Sequence, residues 1–155
     1  MHRLPFLLLN TGICKSNIDR MAQKAILHKL LLRPHFKTHQ SAQIAEWFRE
    51  LGVNSCTVSS VKMAEYFANA GWNDITIAFP VYTFEVEALN ALANRINLNV
   101  IFSSASNLMK SVSQLNGNIG VFIEVDVGHN RSGLSPDNTR EIALMVNQIE
   151  GNSSL

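Results

Sequence analysis

The sequence contains little charge and no long apolar run. Charged residues make up 16% of the 155 residues, and the net charge is +1, whereas an average soluble domain is about 25% charged. Basic residues are scattered along the chain, so nothing favours nucleic acid as a partner. The opening apolar run, Pro5 to Leu9, is too short to span a bilayer and precedes no cleavage site. We therefore expect neither a membrane partner nor secretion.

Cysteine is also scarce. Cys14 and Cys56 are the only two cysteines and form no motif, which excludes a disulfide framework and makes a reducing, cytoplasmic location the default expectation. His35 and His39 lie four residues apart, but no third ligand follows at a useful spacing. The sequence therefore predicts no intrinsic metal site.

What the sequence does contain is an alternation of β-type and helical segments. Predicted strands cover residues 7–10, 30–37, 55–59, 74–80, 98–103 and 119–127, and predicted helices cover residues 16–29, 41–51, 60–70, 83–94, 106–115 and 135–149. From Leu30 onward the strands start roughly every 19 to 25 residues, which is the period of a βα unit in a parallel sheet.

Two parallel α/β architectures fit this period, an open doubly wound sheet and a (β/α)₈ barrel. Five βα units complete the first. The second typically needs about 250 residues, so on that alternative the chain holds about five of eight units and cannot close the barrel by itself.

Two of the predicted strands place polar side chains on one face. The alternation of residues 30–37 puts Arg33, His35 and Lys37 together, and that of residues 119–127 does the same for Glu124 and Asp126. Because covering helices need the apolar faces, we expect the polar faces to point into a barrel interior or a crevice. Two carboxylates and three bases then meet near the carboxyl ends of strands, where parallel α/β proteins bind ligands.

The alternative for these polar residues is structural. Arg33, Glu124 and Asp126 would then form an internal ion-pair network that only fixes strand packing. If the polar residues form a ligand-binding site instead, Lys37 has a chemical role there, because a lysine at a strand end can condense with an aldehyde cofactor.

Two motifs resemble a known family. Residues 33–39 are similar to the Arg-Pro-His-x-Lys-Thr-His signature of the D-threonine aldolase and D-serine dehydratase family, a member of the alanine racemase-like, fold-type III group of pyridoxal-phosphate enzymes. Residues 124–133 are similar to the motif on that family's fifth barrel strand. The likeness continues in order through residues 4–21, 57–65 and 74–80, so it covers nearly the whole chain.

The resemblance implies a fold and a chemistry. The fold is the N-terminal part of an alanine racemase-like (β/α)₈ barrel, spanning residues 1–155 as a partial domain. The cofactor is pyridoxal 5′-phosphate, carried by Lys37, which also acts as a base at the substrate Cα. Arg131 is expected to hydrogen-bond the phenolic oxygen of the cofactor, and His35 and Thr57 are further candidates for the cofactor site. The implied reaction is elimination or retro-aldol cleavage of a D-β-hydroxy amino acid.

The sequence also departs from the family pattern. Gln40 replaces the usual lysine after Thr-His, and Asn10 replaces the usual aspartate at the end of the first strand. Family members continue into the remaining barrel strands and a β-rich C-terminal domain that holds their divalent metal, so that metal site is not expected in this chain. With sheet edges unpaired, we expect an oligomer or association with a missing half. The alternatives are a non-catalytic pyridoxal-phosphate-binding protein and an inactive truncated gene product.

Overall fold

The computed structural model of the chain describes residues 8–152. Four strands lie in this range: β1 Cys56–Val58, β2 Asp74–Pro80, β3 Asn97–Phe102 and β4 Ile119–Ile123. The α-helices are α1 Thr11–Leu27, α2 Ala42–Arg49, α3 Val61–Asn69, α4 Val86–Ala93, α5 Ala105–Ser111 and α6 Thr139–Glu150. Short 3₁₀ turns occur at Phe36–Thr38, Thr83–Glu85 and Val112–Gln114. Between residues 8 and 152, no helix combines the length and the apolar character that crossing a membrane requires.

The strands form one parallel sheet in the order β1-β2-β3-β4. A single parallel bridge from His35 to Thr57 extends it beyond β1. Because parallel crossovers are right-handed, a sequential strand order puts the connecting helices on one face of the sheet. A doubly wound sheet needs a reversal of strand order instead. The predicted barrel-type architecture is therefore confirmed, with four consecutive parallel strands in the described residues instead of the five expected.

Alternate residues of the strands build the core under the helices. Ile75, Leu98, Val100 and Phe102 are almost completely buried on the helix-facing side. The helices contribute Ala64, Phe67, Leu89, Leu92 and Leu108 to the same cluster.

The opposite face of the sheet is polar. Thr57, Thr76, Asn99 and Gly120 are aligned in register across the four strands. Gly120 leaves room there for the side-chain amide of Asn99, which would have to shift if a Cβ were added at this position. One polar row thus points away from the helices, and the next row on the same face contains the apolar pair Ile101 and Phe122.

Serine caps set the start of several helices. The side-chain hydroxyls of Ser41, Ser60 and Ser104 accept the N–H groups of Ile44, Met63 and Asn107 at 3.3, 3.2 and 3.3 Å. Each helix therefore begins at the residue after its serine, at Ala42, Val61 and Ala105.

The prediction of a strand over residues 30–37 is wrong. Only His35 makes a ladder bridge, Leu31 is 98% exposed, and Lys37 lies in a 3₁₀ turn. Pro34 has no N–H to give to a ladder. The predicted strand 119–127 is shorter than expected, since it ends at Ile123 and is followed by one bridge from Val125 to Leu134.

Several other boundaries differ from the predictions. In the predicted strand 7–10, residue 7 lies outside the described range, and residues 8–10 form no strand. Asn10 instead caps α1, accepting the Ile13 N–H at 3.0 Å, so that helix starts earlier than predicted. The helix predicted from residue 83 starts at Val86, because Thr83–Glu85 form a 3₁₀ turn. The helix predicted from residue 135 starts at Thr139 after an Asn138 cap.

Candidate functional site

Lys37 is presented by a turn that a buried aromatic residue anchors. Phe36 is fully buried, with its ring centroid 4.9 Å from those of Phe67 and Trp72. The backbone N–H of Lys37 donates to His35 Nδ1 at 3.3 Å, and its carbonyl accepts Gln40 Nε2 at 3.2 Å. The backbone is thus fixed from below while the Lys37 side chain remains exposed.

His35 and Thr57 lie side by side at the start of the sheet. Their bridge is supported by the Thr57 N–H, which donates to the Pro34 carbonyl at 2.8 Å. Burial, and then the nearby charge of Lys37, lower the pKa of His35 from its usual 6.5, against a smaller opposing effect of a hydrogen bond to the Thr57 backbone. The lowered pKa favours the neutral imidazole, whose Nδ1 accepts the Lys37 N–H.

Arg33 does not join the carboxylates that the sequence suggested. Its Nη1 and Nη2 donate to the two carboxylate oxygens of Asp74, both at 2.8 Å, and Asn99 Nδ2 adds a contact to the same carboxylate at 3.4 Å. The predicted ion-pair network of Arg33 with Glu124 and Asp126 is therefore wrong. Asp74 is the first residue of β2, so this pair lies at the amino end of the sheet, away from Lys37.

Asp126 has a local role in its own loop. Its Oδ1 accepts the backbone N–H groups of Gly128, His129 and Asn130 at 3.0, 2.8 and 3.1 Å, and its Oδ2 accepts that of Asn130 at 2.9 Å. The backbone hydrogen bonds from Asn130 and Gly128 hold the pKa of the Asp126 carboxyl below its usual 3.8. The expectation that this carboxylate meets the three bases at one site is therefore wrong, because its oxygens are occupied.

Residues 126–133 form a closed loop, which we call the Arg131 loop. The Asp126 N–H donates to the Leu134 carbonyl at 2.8 Å, and the Leu134 N–H donates to the Glu124 carbonyl at 2.9 Å. Ser132 Oγ donates to Glu124 Oε1 at 2.7 Å, while Glu124 Oε2 is buried without a hydrogen-bond partner. Arg131 is exposed, and within the described range its guanidinium makes no hydrogen bond or ion pair.

The predicted residues form two groups. His35, Thr57 and Lys37 lie together beside β1, whereas Arg131 follows β4 at the other edge of the sheet. With strands about 4.8 Å apart, roughly 15 to 20 Å of sheet separates the two groups. A curved, barrel-like sheet turns these two carboxyl edges towards each other, so a ligand between them would be held from both sides.

The histidines, cysteines and carboxylates of the described residues do not form a metal site. In the part of the chain from 8 to 152, no three His, Cys, Asp or Glu side chains converge as ligands. Burial raises the pKa of the Cys56 thiol to about 12, so Cys56 stays protonated and is no thiolate ligand.

Comparison with known proteins identifies similar chains. Residues 10–154 match the family described as "Alanine racemase, N-terminal domain". The chain is 33% identical to a D-threonine aldolase of an Arthrobacter species over 137 residues, which covers 86% of this chain and 36% of that one. It is 26% identical to the D-serine dehydratase of Dictyostelium discoideum over 159 aligned positions, covering 92% and 40%.

A solved structure agrees with these matches. The D-threo-3-hydroxyaspartate dehydratase of Delftia sp. HT23 superposes with a TM-score of 0.83 at 26% identity, covering 93% of this chain and 39% of that one. The chain thus spans 36% to 40% of the length of these relatives.

Proposed function

The chain belongs to the alanine racemase N-terminal domain family, and we propose that it binds pyridoxal phosphate through Lys37 as part of a lyase for D-β-hydroxy amino acids. The resemblance predicted from residues 33–39 and 124–133 is confirmed at the level of the family. Members of the family are pyridoxal-phosphate enzymes. Relatives named D-threonine aldolase and D-serine dehydratase act on D-amino acids that carry a β-hydroxyl group, and this supports the substrate class.

The side chains of this chain fit the cofactor chemically. Lys37 offers an exposed primary amine that can react with the aldehyde of the cofactor. Arg131 offers a guanidinium, unpaired within residues 8–152, that can bind the phenolic oxygen. One observation supports the proposal most directly. The two cationic side chains follow the carboxyl ends of the first and the last strand positions of one parallel sheet, where ligands bind in such folds. Pyridoxal phosphate, when bound, supplies an electron sink for bonds at the substrate Cα.

Each residue of the site has a proposed task. Lys37 Nζ is the attachment point and moves the proton at the substrate Cα. Arg131 donates a charge-assisted hydrogen bond to the phenolic oxygen. His35, kept neutral by burial, orients the Lys37 backbone without adding a second positive charge beside it. Thr57 anchors the segment before Lys37 to the sheet and lies on the same face as His35.

The alternative proposal is cofactor binding without turnover. It is favoured by the open edge of β4 within the described residues. On either proposal residues 1–155 act as one partial barrel domain. An open parallel edge next to the exposed Phe122 favours an oligomer or association with a complementary half.

The test is an absorbance titration of the 155-residue chain with pyridoxal phosphate, run beside Lys37→Ala and the control Lys62→Ala. Lys62 is an exposed lysine on α3 that lines the same surface depression as Gln40, so it tests whether a nearby amine can replace Lys37. We expect a visible band in the wild-type chain and in Lys62→Ala but not in Lys37→Ala. Borohydride reduction and peptide mass analysis should then locate the label on Lys37.

The same titration separates the alternatives. A band that persists in Lys37→Ala, or no band at all, contradicts the proposed site. If the band depends on Lys37, turnover of D-threonine and D-serine distinguishes a lyase from a protein that only binds the cofactor.

A further inference from the structure

The Arg131 loop is organised from within by one carboxylate. Asp126 receives the N–H groups of three consecutive residues, Gly128, His129 and Asn130, over distances of 2.8 to 3.1 Å. The convergence needs left-handed backbone at two positions, with φ of 115° at Gly128 and 56° at Asn130. Charge-assisted hydrogen bonds of this kind are stronger than neutral ones, so they offset the cost of that backbone.

Arg131 directly follows the last of these bonded residues. On its other side, Ser132 is tied to Glu124 Oε1 at 2.7 Å, and the two backbone hydrogen bonds between residues 124–126 and Leu134 close the base of the loop. Both neighbours of Arg131 are therefore restrained, while its own guanidinium is exposed and unpaired within the described range. A restrained backbone carrying a free functional group is the arrangement expected of a preorganised site.

We propose that Asp126 is a positioning residue for Arg131, holding the loop in the conformation that aims the guanidinium at the ligand. Asp126 does not touch the ligand on this proposal and acts only through the loop backbone. The inference rests on the proposed function for the identity of that ligand, pyridoxal phosphate, but its structural part concerns this chain alone.

The structural part is tested without cofactor, by amide ¹⁵N relaxation and hydrogen exchange. The variants are Asp126→Ala, Asp126→Asn and the control Asp137→Asn, which makes the same change of charge at an exposed carboxylate without a side-chain hydrogen bond in the described chain. We expect the backbone order parameter at Arg131 to fall from about 0.85 to below about 0.6 in Asp126→Ala. Asp126→Asn should be intermediate, because its amide oxygen still accepts a hydrogen bond, and Asp137→Asn should be unchanged.

The proposal is overturned if the backbone order parameters of residues 128–131 are unchanged in Asp126→Ala. It is also overturned if they fall equally in Asp137→Asn. Far-UV circular dichroism establishes that the variants are folded. If Asp126→Ala does not fold, Asp126→Asn decides the question, since a measurable loss of order at Arg131 is expected there too.

The functional part is tested by the affinity for pyridoxal phosphate of Asp126→Asn, Arg131→Gln and the double variant. We expect each single change to weaken binding by about tenfold and the double variant to bind no worse than Arg131→Gln, because coupled residues are not additive. Fully additive effects would mean that Asp126 does not act through Arg131. A wild-type chain without a Lys37-dependent band contradicts the proposed function, whereas the relaxation data still decide whether Asp126 orders Arg131.

Discussion

The turn that carries Lys37 and the loop that carries Arg131 are held in place by different forces. The Lys37 turn depends on burial, since Phe36 is inserted among Phe48, Phe67 and Trp72 with centroid distances of 4.9 to 5.5 Å. The Arg131 loop depends on hydrogen bonds to the Asp126 carboxylate close to solvent. Removal of apolar volume should therefore damage the first, and removal of acceptors or strain in the backbone should damage the second.

The largest effect is expected from Phe36→Ala. Removing a fully buried phenyl ring from an aromatic cluster costs about 3 to 5 kcal/mol of unfolding free energy. Urea denaturation measures it, with Phe84→Ala as the control, because Phe84 is 81% exposed and its loss should change stability by no more than about 0.5 kcal/mol. The pyridoxal-phosphate band should weaken in Phe36→Ala only. Similar losses in the two variants would show that the Lys37 turn is not anchored by burial.

The corresponding change in the Arg131 loop is Gly133→Ala. Gly133 has φ of 103°, and a Cβ there would lie 2.8 Å from the backbone nitrogen of Asp126 and 3.1 Å from the Glu124 carbonyl oxygen. We expect a cost of about 1 to 3 kcal/mol, measured by thermal or urea unfolding.

Gly128→Ala is the matched control for that change. Gly128 also has positive φ, 115°, but a Cβ there would meet nothing within 4 Å. Only the backbone strain remains, about 1 kcal/mol, so Gly128→Ala should be milder. An equal cost for both substitutions would mean that the close approach at Gly133 does not matter.

Lowering the pH should also affect the two regions differently. The pKa values of His35 and His39 are lowered from 6.5, in both cases chiefly by burial. Because the folded-state pKa is lowered, the unfolded chain binds more protons than the folded chain. The contribution of the two histidines to the free energy of unfolding is therefore complete above pH 6.5 and is lost as the pH falls through the folded-state pKa values. The pKa of Asp126 is lowered from 3.8, so the Arg131 loop should lose its carboxylate hydrogen bonds only below that pH.

The free energy of unfolding, measured at intervals from pH 7.5 to pH 3, should thus begin to fall near pH 6.5. This fall should be smaller in the double variant His35→Asn/His39→Asn. His39→Asn keeps an acceptor for the Ser41 N–H, which His39 Nδ1 accepts at 3.1 Å. An unaltered pH dependence between 6.5 and 5 in the double variant would assign that loss to other groups.

The sequence predicted the sheet better than the loops. The βα period and the apolar faces of β2 and β3 follow from local patterns, and Asp74–Pro80 was predicted to the residue. The partner of Arg33 was not predicted, because Asp74 is 41 residues away and becomes its neighbour only once strand order is known. Alternation did place Phe36 on the apolar, helix-facing side and Lys37 on the opposite, polar side, and the structure buries Phe36 and exposes Lys37 although the segment is a 3₁₀ turn.

The role of Asp126 was not predicted either, for a related reason. Its place in a strand-like alternation suggested a side chain facing the barrel interior, but the strand ends at Ile123, and the carboxylate turns back to its own loop. The available signal was the spacing of the two glycines, Gly128 and Gly133, which indicates a loop with positive φ at fixed offsets after an acidic residue.

The smallest effect on stability, and the sharpest separation of the two regions, is expected from Asp126→Asn. Because Asp126 lies close to solvent and restrains only its own loop, the midpoint of urea unfolding should remain that of the wild-type chain. The order of residues 128–131 should fall at the same time, as a locally restrained loop can open without global unfolding. Phe36→Ala is expected to do the opposite and lower the midpoint with little effect on the Arg131 loop. If Asp126→Asn lowers the midpoint as well, the loop belongs to the same cooperative unit as the aromatic cluster, and the two halves of the site are not held independently.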